Sequence, residues 1–418
     1  MLYYVLNIAI LGLWIYLSFN RKSDDLHPWF FFGFLILKLF AGFSFGLVYS
    51  YYYSSGDTFT FFHQGERLAN LARSNFSGYA DFLISSDPNL IELRSQWTPN
   101  LVFSKLVSVF CLLTNDSYWL ISTYLSLFCF FSLWYLFQML TQIFTHNKLS
   151  IVLALFVVPS FVFWSSGLSK EAVAIGCISL VVRPYLQLFF TNSKVSWIQW
   201  GVSLLALLLL WKLKYFYAAP LLVALLTAAL VYSLHKLGWV DTLAKTVGFS
   251  VVIFCGILFF ATLSHPNFYL SRIFEVIVEN HDTLLAKSGD EVIRYSHLKP
   301  SLFSILVNSP YALVSGLFRP LPGEVKVWIG IGTGLENLLL LGFFIWTSVK
   351  LQVNYELKRA IFITSALLYI LTLAVLLALS TPNFGTLMRF KVAFLPFLWM
   401  LILYNNLWVK QLSKRLFR

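Results

Sequence analysis

Long apolar runs separated by short polar stretches set the pattern of this chain. A membrane-spanning helix needs about 20 mostly apolar residues. Runs of that kind occupy roughly 2–19, 29–53, 118–143, 150–166, 170–191, 196–212, 216–234, 246–263, 326–348, 360–380 and 391–408. The fold class this predicts is all-α: a polytopic membrane protein with about eleven transmembrane helices. Most connectors are short, but 54–117 and 264–325 are not. With no strong internal repeat, Pro/Gly/Ser-rich linker or low-complexity tract, 1–418 reads as a single transmembrane domain. Inside the first long connector, 58–73 is amphipathic. Phe61, Leu68 and Leu71 recur near helical spacing while Glu66, Arg67 and Arg73 stay polar, which predicts a helix lying along the membrane face. The apolar stretch 101–114 is read as a second surface helix with Lys105 snorkelling. If it spanned, every later loop would invert. The stretch 301–318 carries Pro310 and is read as re-entrant or interfacial. The first nineteen residues lack a basic start and a small-residue cleavage site, so they are expected to be a retained helix.

Composition fixes the solvent. Of 418 residues, 59% are hydrophobic and 11% charged, with mean hydropathy +0.76. Soluble domains carry about 25% charge, so this chain has too little to coat a water-facing surface. A net charge of +12 raises nucleic acid as a partner, but no nucleic-acid-binding motif is present. Much of the positive charge sits between apolar runs, at Arg21/Lys22, Lys148, Lys194, Lys236/Lys245, Lys350/Lys358/Arg359 and Lys410/Lys414/Arg415/Arg418. The positive-inside rule places these loops in the cytoplasm, the N-terminus outside, the C-terminus inside and both long connectors on the non-cytoplasmic side. This suits a multi-pass protein of a bacterial inner membrane. Cys111, Cys129, Cys177 and Cys255 lie in apolar runs without CxxC spacing and are read as packing residues.

The exceptions to the charge rule carry the candidate chemistry. Lys170 and Glu171 (WSSGLSKEA), Lys212 and Lys214 (LLLWKLKYFY), Arg389 and Lys391 (NFGTLMRFK) and Arg319 (GLFRPLPGE) all fall at outer helix ends on this map. If those ends converge, they form a cationic pocket for a phosphate or diphosphate on a long lipid, gripped bidentately by Arg and as point charges by Lys. The plain alternative is that each cation snorkels to lipid headgroups. At the mouth of the first long connector, Asp57 follows Gly56 in SSGDTFTFFHQGERLANLAR. It is placed either to accept a proton from an incoming hydroxyl or to cap the next helix. His63 and Glu66 lie one turn apart beyond it. A divalent metal there is conceivable but not favoured, since neither DxD nor HExxH occurs, and no cofactor is called. Gly332, Gly334 and Glu336, with Arg183 and Pro184, interrupt apolar runs, and Glu336 is a candidate to pair with Arg183.

With these pieces in place, the chain resembles the GT-C superfamily of multispanning glycosyltransferases, which take sugars from polyprenyl-phosphate carriers. The carrying features are Asp57 after an early span, the 58–73 helix, QWTPNLVFSKLVSVFCLLT with its early Pro99, and VVPSFVFWSSGLSKEA. NFGTLMRFKVAFLPFLWM is similar to a segment of bacterial polysaccharide-assembly membrane proteins. The span 2–19 and the single Asp57, in place of a paired acidic motif, depart from the family pattern. The resemblance implies a sugar moved from a polyprenyl-phosphate-linked donor to a glycan, lipid or protein acceptor on the non-cytoplasmic face. Asp57 would be catalytic and Lys170, Lys212, Lys214, Arg319 and Arg389 would be phosphate ligands. Glu171 would orient Lys170 or touch sugar hydroxyls. The second connector would form a lid or acceptor surface, with His281, Asp282, Asp290, Glu291 and His297 available, although each also reads as a solvated loop residue. Two other readings stay open: a polymerase or ligase acting on diphosphate-linked glycans, and a transporter or flippase for a lipid-linked substrate.

Overall fold

The computed structural model describes residues 2–20, 28–53, 56–86, 98–191, 193–349 and 356–417. Arg21, Lys22, Lys350 and Arg418 of the basic loops, and Gln96 and Trp97 before Pro99, lie outside the described residues. The elements run α1 (Leu2–Asn20), α2 (Pro28–Tyr51), α3 (Asp57–Ser74), α4 (Phe76–Ser85), α5 (Thr98–Thr114), α6 (Tyr118–Ile143), α7 (Lys148–Val152), α8 (Pro159–Trp164), α9 (Lys170–Phe190) and α10 (Trp197–Lys236). They continue with α11 (Leu243–Ser264), α12 (Leu270–Ala286), α13 (Leu302–Phe318), α14 (Trp328–Val349), α15 (Leu357–Ser380), α16 (Phe384–Phe390), α17 (Leu395–Tyr404) and α18 (Leu407–Leu416). Among the described residues there is no strand beyond one isolated bridge, Val292 to Asn383.

Eight described helices are long and apolar enough to cross a membrane: α1 from Tyr3, α2, α6, α9, α10, α11, α14 and α15. A ninth is added if the pair Phe384–Ala393 and Leu395–Tyr404, bent by 66°, counts as one. The architecture is that of an all-helical, multi-pass membrane protein.

Two apolar runs form broken helices where the pattern predicts continuous ones, and two separate runs join in one kinked helix. Over 150–166, α7 passes into a π-helical turn at Leu153–Val157 and stops before Pro159, which restarts the chain as α8. Proline has no N–H to continue the ladder, and it pushes its predecessor out of helical geometry. The runs 196–212 and 216–234 fall within α10, broken at Lys214 (φ −149°, ψ 66°). The last run bends between α16 and α17. The helices α5 and α13 each have 17 residues, short of a full crossing. Lys105 does not snorkel. Its ammonium donates to Leu83 O (2.8 Å) and Ser86 Oγ (2.7 Å) at the end of α4.

The described chain forms two compact units: Met1–Gln138, Val162–Arg183 and Ser196–Tyr215 in one, Met139–Phe161, Pro184–Val195 and Phe216–Arg418 in the other. The first unit is organised around α3 packed on α5. Gly65 brings the two backbones together, because any side chain there would meet Val107 and the Ser108 amide. Buried Gln64 accepts from Ser104 Oγ (2.7 Å), and Tyr79 pairs with Ser108 (2.9 Å). Leu68, Ala72, Tyr79, Phe82 and Leu101 fill the space between. The amphipathic reading of 58–73 thus gives the right helix, but its apolar face packs on protein.

The second unit is built on α15, against which α11, α12 and α13 pack. Here α13 approaches so closely that a Cβ on Gly316 would overlap the carbonyl of Ala374. Backbone cannot move aside as a flexible side chain can. Gly316→Ala is therefore expected to cost about 1–3 kcal/mol and to lower the thermal unfolding midpoint in detergent. Gly332→Ala, whose added carbon meets nothing within 4 Å, is expected to leave that midpoint unchanged or raised.

Candidate functional site

In the first unit the candidate residues are presented by one turn, Trp164–Lys170, between α8 and α9. The sequence WSSGLSK folds this way because each polar group has a local partner. Ser166 Oγ donates to Val162 O (2.6 Å), and the Ala172 amide donates to Ser169 Oγ (3.1 Å), starting α9. Gly167 has φ +75°, a region L side chains rarely adopt, and an added Cβ would strike Phe45. Its amide donates to Ser126 Oγ (2.9 Å). From α2, buried Lys38 donates to Ser165 O (2.7 Å) and Ser165 Oγ (2.6 Å). From α3, Thr58 Oγ1 donates to Leu168 O (2.7 Å) and shares a hydrogen bond with the Tyr118 hydroxyl (3.1 Å).

That turn delivers Lys170 and Glu171 into a lysine-rich corner. The Lys170 ammonium donates to Asn100 Oδ1 on α5 (2.6 Å) and lies 4.7 Å from the Phe61 ring of α3. Glu171 is fully buried and forms an ion pair with buried Lys214 at 2.9 Å. This pairing replaces the expected orientation of Lys170 by Glu171. Lys214 stands at the break in α10, and Lys212 is exposed just before it. Burial, and next the charge of Lys212, hold the Lys105 ammonium below the usual lysine range. Lys170 and the Glu171–Lys214 pair therefore adjoin at this corner, and Lys212 lies near enough to Lys105 for their charges to act on each other.

Asp57 opens α3 as its first residue. It is exposed, and the N-cap is Gly56, so the capping alternative does not hold. A carboxylate in the first turn still complements the helix dipole. Asp57 and Phe61 are four residues apart, on one face of α3. Thr58 ties the same end of the helix to Leu168, two residues before Lys170. Asp57 is thus held beside the turn that bears Lys170. His63 and Glu66 form an exposed pair on α3, Nδ1 to Oε2 3.3 Å. Among the described residues no group of three or more His, Cys, Asp or Glu side chains could hold a metal ion.

In the second unit the remaining candidates play different parts. Arg319 is held by Glu324 (Nε to Oε1 2.8 Å), by the Tyr311 hydroxyl (2.5 Å) and by stacking 5.0 Å from Phe384. Burial opposes ionisation of Glu324, but the Arg319 guanidinium and the Leu321 amide outweigh it and hold its pKa below the usual carboxylate range. Lys391 is buried. It donates to Leu317 O (2.9 Å), Arg319 O (3.1 Å) and Asn337 Oδ1 (3.2 Å), clamping the end of α13 in place of a phosphate. Arg389, on α16, is half-buried. Glu336 accepts from Ser160 N (2.8 Å) and Ser160 Oγ (2.5 Å) in place of the expected Arg183. Arg183, in the first unit, holds the Tyr135 hydroxyl (2.7 Å).

Sequence reasoning missed Lys38, Asn100 and Glu324. Lys38 carried a signal, a lone cation within an apolar run; Asn100 and Glu324 carried none. Cys111, Cys129 and Cys177 are buried as expected, whereas Cys255 is exposed.

The buried Glu171–Lys214 pair yields a stability test. Removing one partner leaves an uncompensated buried charge, worth about 3–5 kcal/mol, whereas removing both is far milder. Lys214→Met is expected to unfold at markedly lower temperature than the double variant Lys214→Met/Glu171→Gln. For the Arg319–Glu324 pair the sign follows from the depressed Glu324 value. Its stabilisation is present above the unfolded carboxyl value and lost as pH falls through the folded one. The thermal midpoint should drop on acidification below about pH 4 by less in Glu324→Gln than in wild type.

Comparison with protein-family models, curated proteins and solved structures finds no match to this chain.

Proposed function

We propose that the chain is a membrane glycosyltransferase that moves a sugar from a polyprenyl-phosphate-linked donor to a glycan, lipid or protein acceptor on the non-cytoplasmic face. The observation that carries this reading is the lysine corner of the first unit, where Lys170 sits by the α3 end that bears Asp57, with the buried Glu171–Lys214 pair next to it and Lys212 and Lys105 close enough to each other for their charges to interact. Lysines cost free energy next to lipid and gather where an anion repays them. A phosphate on a lipid tail supplies that anion while its chain stays in the bilayer.

Transfer then needs little else from the protein. Asp57 accepts the proton of the acceptor hydroxyl as its oxygen attacks the anomeric carbon. The bond from that carbon to the phosphate oxygen breaks, and the lysines stabilise the charge developing on the departing phosphate. The topology that goes with this mechanism has the N-terminus outside, the C-terminus in the cytoplasm and eleven passes of a bacterial inner membrane. Eleven passes require α10 to reverse at Lys214 and the broken runs α7–α8 and α16–α17 to count as one pass each. A straight helix of 40 residues would reach about 60 Å, twice the hydrocarbon thickness, which favours such a reversal.

A second reading, a polymerase or ligase acting on diphosphate-linked glycans, is favoured by the second unit. There Arg319 lies just after α13, Arg389 on α16 and a buried His281 on α12. The transporter reading loses its main support, since Glu336 is bound by Ser160.

Asp57→Asn separates the first two readings. The substitution is expected to slow transfer of label from polyprenyl-phosphate sugars in membrane vesicles by about 10²–10⁴-fold, with thermal stability unchanged. Wild-type turnover in that variant would leave the polymerase or ligase reading standing. A tag at the C-terminus is expected to be protected from protease added outside intact cells. Cleavage there would place the lysine corner at the cytoplasmic leaflet.

A further inference from the structure

The second long connector buries two polar atoms that neither the fold nor the proposed transfer step uses. His281 lies on the buried face of amphipathic α12, one turn after Ile277, and is only 5% exposed. Its Nδ1 stands 2.9 Å from Asp282 Oδ1. The Nε2 is buried without a hydrogen-bond partner among the described residues, and so is the Tyr295 hydroxyl. The two rings lie 5.7 Å apart, and the Tyr295 ring lies 5.7 Å from that of Tyr311, which receives Arg319. The loop bearing Tyr295 is fixed, because Ile293 N donates to Pro382 O (2.8 Å) and Asn383 Nδ2 to Ser288 Oγ (2.9 Å). Two adjacent unsatisfied groups in a loop so well tied down are unusual, since buried polar groups are nearly always paired.

We propose that His281 Nε2 and the Tyr295 hydroxyl form a subsite for an alcohol group of a carbohydrate ligand. The reasoning is one of valence. With Asp282 accepting from Nδ1–H, Nε2 is an acceptor, a tautomer assigned from that hydrogen bond. The Tyr295 phenol donates, and burial holds it protonated by pushing its pKa up. A hydroxyl satisfies both atoms at once, giving its proton to Nε2 and accepting from Tyr295. A carboxylate has no proton for Nε2, and an ammonium cannot accept from Tyr295. The flanking aromatic faces suit the C–H surface of a sugar ring. Tyr311, next in the row and 47% exposed, marks the way in. The choice of a carbohydrate among alcohols rests on the glycosyl-transfer reading.

Nitrogen NMR of the full-length protein in nanodiscs, labelled at histidine, reads this directly. The His281 signals are identified by their loss in His281→Gln. Titration with cellobiose, lactose, maltose and di-N-acetylchitobiose is expected to move the Nε2 signal saturably with at least one disaccharide. Acetate, which has no proton to give, should leave it in place, and Tyr295→Phe should weaken the response about three- to tenfold. An Nε2 signal indifferent to every disaccharide means a trapped water only and overturns the proposal, as does a shift with acetate. Asp57→Asn protein is expected to bind as wild type does. A silent His281 with Asp57-dependent transfer defeats the subsite alone. A responsive His281 with Asp57-independent transfer defeats the transfer reading alone.

Discussion

The bond from the Lys38 ammonium to Ser165 fixes the turn on which the candidate chemistry stands. An ammonium between apolar helices must find oxygen or destabilise the fold. The oxygens it finds are the carbonyl and hydroxyl of Ser165, at the point where α8 has just ended. Ser126 and Thr58 secure the next residues of the same turn. Lys170 and Glu171 therefore enter α9 from a fixed origin, and everything proposed for the lysine corner depends on that origin.

The same logic recurs within each unit and explains why charges sit inside apolar runs. A helix leaves several amides free at its start and several carbonyls free at its end, and a low-dielectric surround makes those groups costly. Lysines are found at helix ends, Lys38 at the close of α8 and Lys391 at the close of α13. A glutamate is found at a helix start, Glu336 on the Ser160 amide of α8. These signs match the helix dipole. Broken helices and buried charges are thus one design: each break creates the groups that a charged side chain satisfies. Glu171 and Lys214 follow it in part, with Glu171 in the first turn of α9 and Lys214 at the break in α10.

Much of this was legible in the sequence, and the limits are instructive. Hydropathy located the apolar runs because membrane insertion selects for length and composition alone. It bracketed the break at Lys214, between the runs 196–212 and 216–234, but not the one at Pro159, because local backbone geometry leaves average hydropathy unchanged. The charge exceptions singled out Lys170, Glu171, Lys212 and Lys214, of which Glu171 and Lys214 form a buried ion pair. Their partners were misjudged, since neighbours in sequence such as Lys170 and Glu171 leave a helix in different directions. Lys391 looked like a ligand and is a clamp. His281 looked like a solvated loop residue and is buried, because α12 packs on α15 and a short amphipathic pattern does not say what covers its apolar face.

The claim at the centre is that the lysine corner of the first unit holds a phosphate carried on a lipid. Binding of a polyprenyl monophosphate to the whole protein in nanodiscs of neutral lipid measures it most directly. Saturable binding that weakens at least tenfold when Lys105 and Lys212 are both replaced by methionine is the result expected. Binding that is unchanged by those replacements, or absent from the wild-type protein, would contradict it.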